Sequence, residues 1–203
     1  MTNLVRIDAS ARPHTSSHSK QLADFFQQQW LEKHPGGQVI QHDLVELELE
    51  HINEDFINAM YTAKEERTLK QEQTLELSTH FVEELKNADT LLISTPMYNF
   101  SVPSYLKTYI DLITRKGETF RYGEHGHEGL LDVPQTVVIM ASGGDYTPPN
   151  DAENFVTPYL KTMLKYNGID AVTTIEAFGM SLGEEKRQQS LDNAEKAIQD
   201  LLA

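Results

Sequence analysis

Three short stretches hold side chains whose types and spacing could do chemistry. The first, Ala9 to Ser19, sets hydroxyls on Ser10, Thr15, Ser16, Ser17 and Ser19 ahead of a helical pattern. A phosphate monoester needs several short donors on its oxygens. Hydroxyls and the free N–H groups of a helix N-terminus supply them, and the helix dipole favours the negative charge. The same residues also suit a plain N-cap behind a Ser-rich loop. Neither G-x-x-x-x-G-K nor G-x-G-x-x-G is present, so this is not a Walker loop or a dinucleotide fingerprint. The second stretch, Pro96-Met97-Tyr98-Asn99-Phe100, combines apolar faces with an amide and a phenol. It could carry a flat, partly polar heterocycle, and it reads equally as a packed turn with an aromatic plug. In the third, Ser142-Gly143-Gly144, the missing Cβ atoms would let backbone approach a planar ligand. An ordinary turn would look the same.

The elements around these loops must put them together. Leu91-Leu92-Ile93-Ser94-Thr95 is a continuous apolar-to-small run expected of a strand buried on both faces. Leu4–Asp8, Gln38–Leu44, Thr136–Ala141 and Val172–Ile175 complete a set of five strands. Helical periodicity follows at Ser19–His34, at Leu75–Leu85 ending near Asn87, at Tyr105–Ile113, at Phe155–Tyr166 and at Glu184–Leu202. Pro35-Gly36-Gly37 and Gly168 stop two of these helices. Strands alternating with helices predict an α/β fold, a doubly wound five-stranded parallel sheet with helices on both faces. The three loops would then meet at the carboxyl edge, where open α/β sheets bind ligands. Residues 1–203 are expected to form a single domain. Residues 44–70 are expected as a surface insertion of short helices, and 117–132 as a projecting excursion or hairpin.

Composition narrows the function classes. With 17 Lys and Arg against 31 Asp and Glu, the formal charge is −14. That argues against nucleic acid and against an anionic membrane surface. The absence of cysteine removes disulfides, thiolate chemistry and Cys-ligated metal sites. No apolar run approaches the ~18 residues of a membrane span. The N-terminal residues show no basic-then-apolar leader pattern, so a cytoplasmic protein is expected. Glu124-His125-Gly126-His127-Glu128 could ligate a metal, but Gly126 gives it no fixed geometry; no metal site is expected.

A phosphate cradle, a heterocycle-sized ledge and a close backbone approach together suit a mononucleotide across the sheet edge, with FMN the natural candidate. Pro96-Met97-Tyr98-Asn99-Phe100, Leu106-Lys107, Asp111, Thr119-Phe120-Arg121-Tyr122, Glu128-Gly129-Leu130 and Val156-Thr157-Pro158-Tyr159-Leu160 resemble the FMN-dependent NADH-azoreductases, which also act as quinone reductases. The resemblance spans nearly the full chain. It implies a flavodoxin-like fold, a homodimer, and ping-pong transfer from NADH (or NADPH) through FMN to azo compounds and quinones. It further implies phosphate-binding roles for Ser10, Ser17, His18 and Ser19, and a place along the isoalloxazine ring for Pro96, Met97, Tyr98, Asn99 and Phe100. Ala141, Ser142, Gly143 and Gly144 match the ring's polar edge. Tyr122 and Tyr166 match aromatic positions that reach the partner subunit's site. No side chain is expected to act as a general base, since the flavin carries the chemistry. Family members often carry Arg where this chain has Ser142, so a positive charge is missing there. Two alternatives stay open on the residues alone: a phosphomonoester or phosphodiester hydrolase, for which Asp8 is the one evident carboxylate near the loop, and a non-catalytic flavodoxin-type electron carrier.

Overall fold

The computed structural model describes residues 2–124 and 126–203. Five strands form one parallel sheet: β1 (Asn3–Asp8), β2 (Gln38–Asp43), β3 (Thr90–Pro96), β6 (Gln135–Ala141) and β7 (Val172–Ala177), in the order β2-β1-β3-β6-β7. Two further strands, β4 (Phe120–Gly123) and β5 (Gly126–Gly129), pair antiparallel beside it. The chain order reverses between β1 and β3, which makes their carboxyl ends the topological switch point of the sheet.

Side chains alternate across the sheet, so each strand feeds two cores. Val5, Ile7, Leu91, Ile93 and Val138 face a cluster built with α2 (Glu54–Tyr61), α3 (Leu69–Lys86), α4 (Ser104–Ile113) and α5 (Val156–Tyr166). Leu4, Leu92, Val137 and Ile139 face α1 (His18–Lys33) and α6 (Glu184–Leu202). Leu22, Phe26 and Trp30 lie on one stripe of α1 and are buried. The Trp30 indole N–H donates to Thr90 Oγ1 at 3.1 Å, so the largest core side chain also has its polar atom satisfied.

The expected strands and long helices are present, with ends displaced by a residue or two, except that α3 begins at Leu69, six residues before the expected Leu75. The stretch 44–70 differs from its expected surface role. Leu44, Phe56 and Ala59 are buried in the first cluster. Asn53 caps α2 by accepting from the Phe56 N–H at 2.9 Å, and that turn drives Phe56 under α3.

The α1 face of the sheet is apolar only in its lower part. Towards the carboxyl edge, Arg6 and Asp8 follow Leu4 along β1 and both are fully buried. The Arg6 guanidinium lies 3.0 Å from Asp8 Oδ2 and 2.7 Å from Asp24 Oδ1. Asp8 also accepts from Gln41 of β2 at 2.8 Å and from the Ser94 hydroxyl of β3 at 2.5 Å. Lys20 in the first turn of α1, also buried, pairs with Asp43 of β2. Breaking a buried pair from one side leaves an uncompensated charge. Arg6→Met should therefore cost about 3–5 kcal/mol in urea unfolding, and Arg6→Met combined with Asp8→Leu should cost less than Arg6→Met alone. Equal losses in the two variants would contradict this account.

Candidate functional site

The loops after β1, β3, β6 and β7 enclose a cavity of about 240 Å³ at the carboxyl edge. The first loop runs from Ala9 to the start of α1. Ser17 is its N-cap, accepting from the Lys20 N–H at 3.4 Å. Ser10, Ser17 and Ser19 are buried, and the Ser17 and Ser19 hydroxyls are 3.4 Å apart. The backbone N–H groups of His18 and Ser19 have no partner among the described residues, as expected of a first helical turn. His18 Nδ1 is buried without a hydrogen-bond partner. Burial, then the nearby charges of Arg187 and Arg12, hold the His18 imidazole below its ordinary pKa. The donor set is thus rich in hydroxyls and amides, and one buried ring nitrogen is unmatched.

The second loop makes a two-residue tip. Tyr98 and Ser101 exchange backbone hydrogen bonds at 3.0 and 3.1 Å, and Asn99 and Phe100 between them have φ of 49° and 68°. Asn tolerates this left-handed region; Phe does so at a cost. The Asn99 N–H is left without a partner among the described residues. The two loops are joined across the switch point, since the Ala11 N–H donates to the Tyr98 hydroxyl at 3.3 Å.

The third loop begins at Ala141 and Ser142. Its carbonyls are held by the loop after β7: Ser142, Gly143 and Gly144 O accept from the N–H groups of Met180, Ser181 and Gly179 at 2.8–3.0 Å. A Cβ at Gly143 would come within 2.9 Å of Ser181 Oγ, so a larger residue there would make the Ser181 hydroxyl turn away. With their carbonyls tied back, the Gly143 and Gly144 N–H groups have no partner among the described residues. Asp145 anchors the loop to α6 through Lys186 at 2.8 Å.

Most expected residues meet at this cavity. Ser10, Ser17, His18, Ser19, Pro96, Met97, Tyr98, Ala141, Ser142 and Gly143 line it. Asn99, Phe100 and Gly144 stand outside its lining, Phe100 being 46% exposed and edge-on to Tyr146. Tyr122 and Tyr166 are also absent from it. They form a separate aromatic cluster with Phe120 and His127, in which His127 stacks on Tyr166 at 3.7 Å and the two phenol oxygens are 3.3 Å apart. That hydrogen bond, then burial, raises the Tyr166 pKa to about 12. A projecting hairpin has little core of its own in which to bury its aromatic rings. Phe120 is in fact buried, because the end of α5 packs against it, while Tyr122 is 64% exposed. The seam between β5 and α5 is tight: Asn167 O accepts from Leu130 and Leu131 N–H, and a Cβ at Gly129 would lie 2.2 Å from Gly168 N.

Four lining residues were not anticipated as site residues: Arg12, Ser16, Met180 and Ser181. The loop after the last strand could have been found by the rule that located the other three, since it leaves the same sheet edge. The 124–128 segment offers no metal geometry among the described residues: Glu128 is held by Arg121 at 2.6 Å, and His125 lies outside the described residues. No helix among the described residues is long and apolar enough to cross a membrane.

The sheet order and the site at its switch point define a class, and comparison with known proteins agrees. A family model described as a flavodoxin-like fold matches residues 2–202, and the chain belongs to that family. The FMN-dependent NADH:quinone oxidoreductase of Hydrogenovibrio crunogenus is 51% identical over 203 residues, covering 100% of both chains. Among solved structures, an azoreductase from Bacillus anthracis str. Sterne superposes with a TM-score of 0.91 at 24% identity, covering 100% of this chain and 99% of the other, and shares the fold. An FMN-dependent NADH-azoreductase from Bacillus anthracis str. Ames Ancestor, in complex with FMN, has a TM-score of 0.87 at 28% identity and full coverage of both chains.

Asp145 provides a titration test of the loop anchor. Its carboxyl is held at about 2, first by Lys186 and then by the Thr147 N–H and hydroxyl. A depressed carboxylate adds stability above its ordinary pKa and loses that contribution as pH falls through the folded value. Lys186→Ala should move Asp145 part of the way back towards an ordinary carboxylate, as followed by carboxyl 13C chemical shift. An unmoved midpoint would show that Thr147 alone sets it.

Proposed function

We propose that this chain binds FMN at the carboxyl edge and reduces quinones and azo compounds with electrons from NADH. The observation that carries the reading is the donor set. Buried hydroxyls of Ser10, Ser17 and Ser19, free N–H groups at the start of α1 and the unpaired His18 Nδ1 suit a phosphate. The partnerless N–H groups of Asn99, Gly143 and Gly144 suit the heteroatoms of a flavin ring, beside the apolar Met97. Similarity to an FMN-dependent quinone oxidoreductase over the full length supports the same reading.

Bound FMN would supply hydride acceptance from NADH and return of the electrons to the acceptor in a second, ping-pong half-reaction. The protein's own part is to bind and orient. The hydroxyl loop anchors one end, the strained tip at Asn99 aims a backbone donor, and the glycines of the third loop let backbone approach closely. No lining side chain is asked to take a proton. A hydrolase would need Asp8 as nucleophile or metal ligand, but Asp8 is fully buried and its oxygens are occupied by Arg6, Gln41 and Ser94. The relatives named above are enzymes, which favours an enzyme over a flavodoxin-type electron carrier. NADH as donor fits a cytoplasmic setting, and the chain is taken to act as a single domain.

The reading extends to a homodimer with shared sites. A cavity of about 240 Å³ lies below the ~300–1,000 Å³ of a complete ligand pocket. Phe100 and Tyr122 meanwhile expose large aromatic surface outside it, where a second subunit could cover the flavin.

Purified protein reconstituted with FMN should bleach on NADH under anaerobic conditions and recover colour with a quinone. Ser17→Ala with Ser19→Ala should weaken FMN markedly, each neutral hydroxyl contributing about 0.5–1.5 kcal/mol. Unchanged affinity would refute the phosphate assignment. In the second test, Tyr122→Ala should raise KM for quinone or azo acceptors more than it lowers FMN content. A fully active monomer in sedimentation at micromolar concentration would sink the shared site.

A further inference from the structure

The cavity differs in charge from the chain around it. Acidic residues outnumber basic ones by 31 to 17, yet no carboxylate lines the cavity. The overall field therefore repels an anion, and any local attraction must come from charges and donors at or beside the lining. Of the lining residues only Arg12 carries a permanent charge. Ser142, at the third loop, brings none. His18 is titratable, but burial and the charges of Arg187 and Arg12 favour its neutral form.

The root of Arg12 is fixed and its head is free. The Arg12 N–H donates to Ser10 Oγ at 3.2 Å, and the neighbouring Ala11 N–H is held by the Tyr98 hydroxyl. The first bond shapes the loop locally and the second ties it to the Tyr98 wall of the cavity. Its side chain is exposed, and its guanidinium makes no ion pair or hydrogen bond among the described residues. Asp24 pairs with Arg6, Asp43 with Lys20, Asp145 with Lys186 and Glu184 with Arg187 instead. An unpaired guanidinium on a fixed backbone, sharing a cavity with buried hydroxyls, is arranged for an anion that the chain itself does not provide. A planar fork of N–H donors matches phosphate oxygens, and a charged donor makes a stronger bond than a neutral hydroxyl.

We propose that Arg12 is a phosphate-binding residue of this site, closing its guanidinium on the phosphate of FMN. The proposal rests on the FMN reading above. It assigns to Arg12 a share of the discrimination between FMN and riboflavin, which differ by that phosphate alone.

The test is flavin-fluorescence titration of wild type, Arg12→Ala and Arg12→Lys with FMN and with riboflavin, at low and high salt. Arg12→Ala should weaken FMN about tenfold, the size of one charge-assisted hydrogen bond, and change riboflavin less than about twofold. The salt dependence of FMN affinity should become shallower in Arg12→Ala. Arg12→Lys should recover part of the loss, because it keeps the charge without the fork. If Arg12→Ala leaves both FMN affinity and its salt dependence unchanged, Arg12 has no such role while the FMN reading stands. If it weakens both flavins equally, Arg12 acts by shaping the loop and the proposal is overturned. A wild-type protein that binds neither flavin overturns both readings.

Discussion

The buried carboxylate of Asp8 is the constraint on which the carboxyl edge depends. It is fully buried, and a lone ion there would be costly. Its partners come from four directions: Arg6 on its own strand, Gln41 on β2, Ser94 on β3, and, through Arg6, Asp24 of α1. Satisfying this one group fixes the register of the three strands at the switch point and the seat of the helix whose N-terminus forms the cavity. Lys20 and Asp43 repeat the device one turn closer to the edge. The polar network is thus both a structural lock and the floor beneath Ser10 and Ser17.

Above that floor the loops hold one another. The Tyr98 hydroxyl joins the first and second, and the loop after β7 ties back the carbonyls of the third. The consequence is chemical as well as mechanical. Each carbonyl turned away leaves its neighbouring N–H pointing elsewhere, and the partnerless donors at Asn99, Gly143 and Gly144 are the product of that arrangement. The positive φ values at Asn99 and Phe100 are part of the same arrangement. The strain at Phe100 is supported by the paired bonds between Tyr98 and Ser101.

What the amino-acid order revealed follows what produces periodicity. Leu91 to Ile93 could be read as a strand because both faces of β3 are buried and no polar residue interrupts it. The long helices could be read because their apolar stripes repeat. α2 was obscure because only Phe56 and Ala59 of its eight residues are buried, too few to make a stripe. The lock at Arg6, Asp8 and Lys20 was invisible for the opposite reason. Charged residues read as surface, and only the folded arrangement shows that each charge meets another. Among the site residues, the hydroxyls before α1 announced themselves by density. Arg12 and Ser181 did not, because a single Arg or Ser in a loop carries no pattern until its neighbours in space are known.

The seam between β5 and α5 bears on how a second subunit would be met. Gly129 and Gly168 bring two backbones into contact, Asn167 holds Leu130 and Leu131, and Phe120, His127 and Tyr166 stack beneath the exposed Tyr122. Ordering a flexible side chain at an interface costs about 0.5–1.5 kcal/mol. Here that loss of freedom has largely occurred during folding. The aromatic face is therefore a preorganised surface, and a molecule docking on it has little left to immobilise.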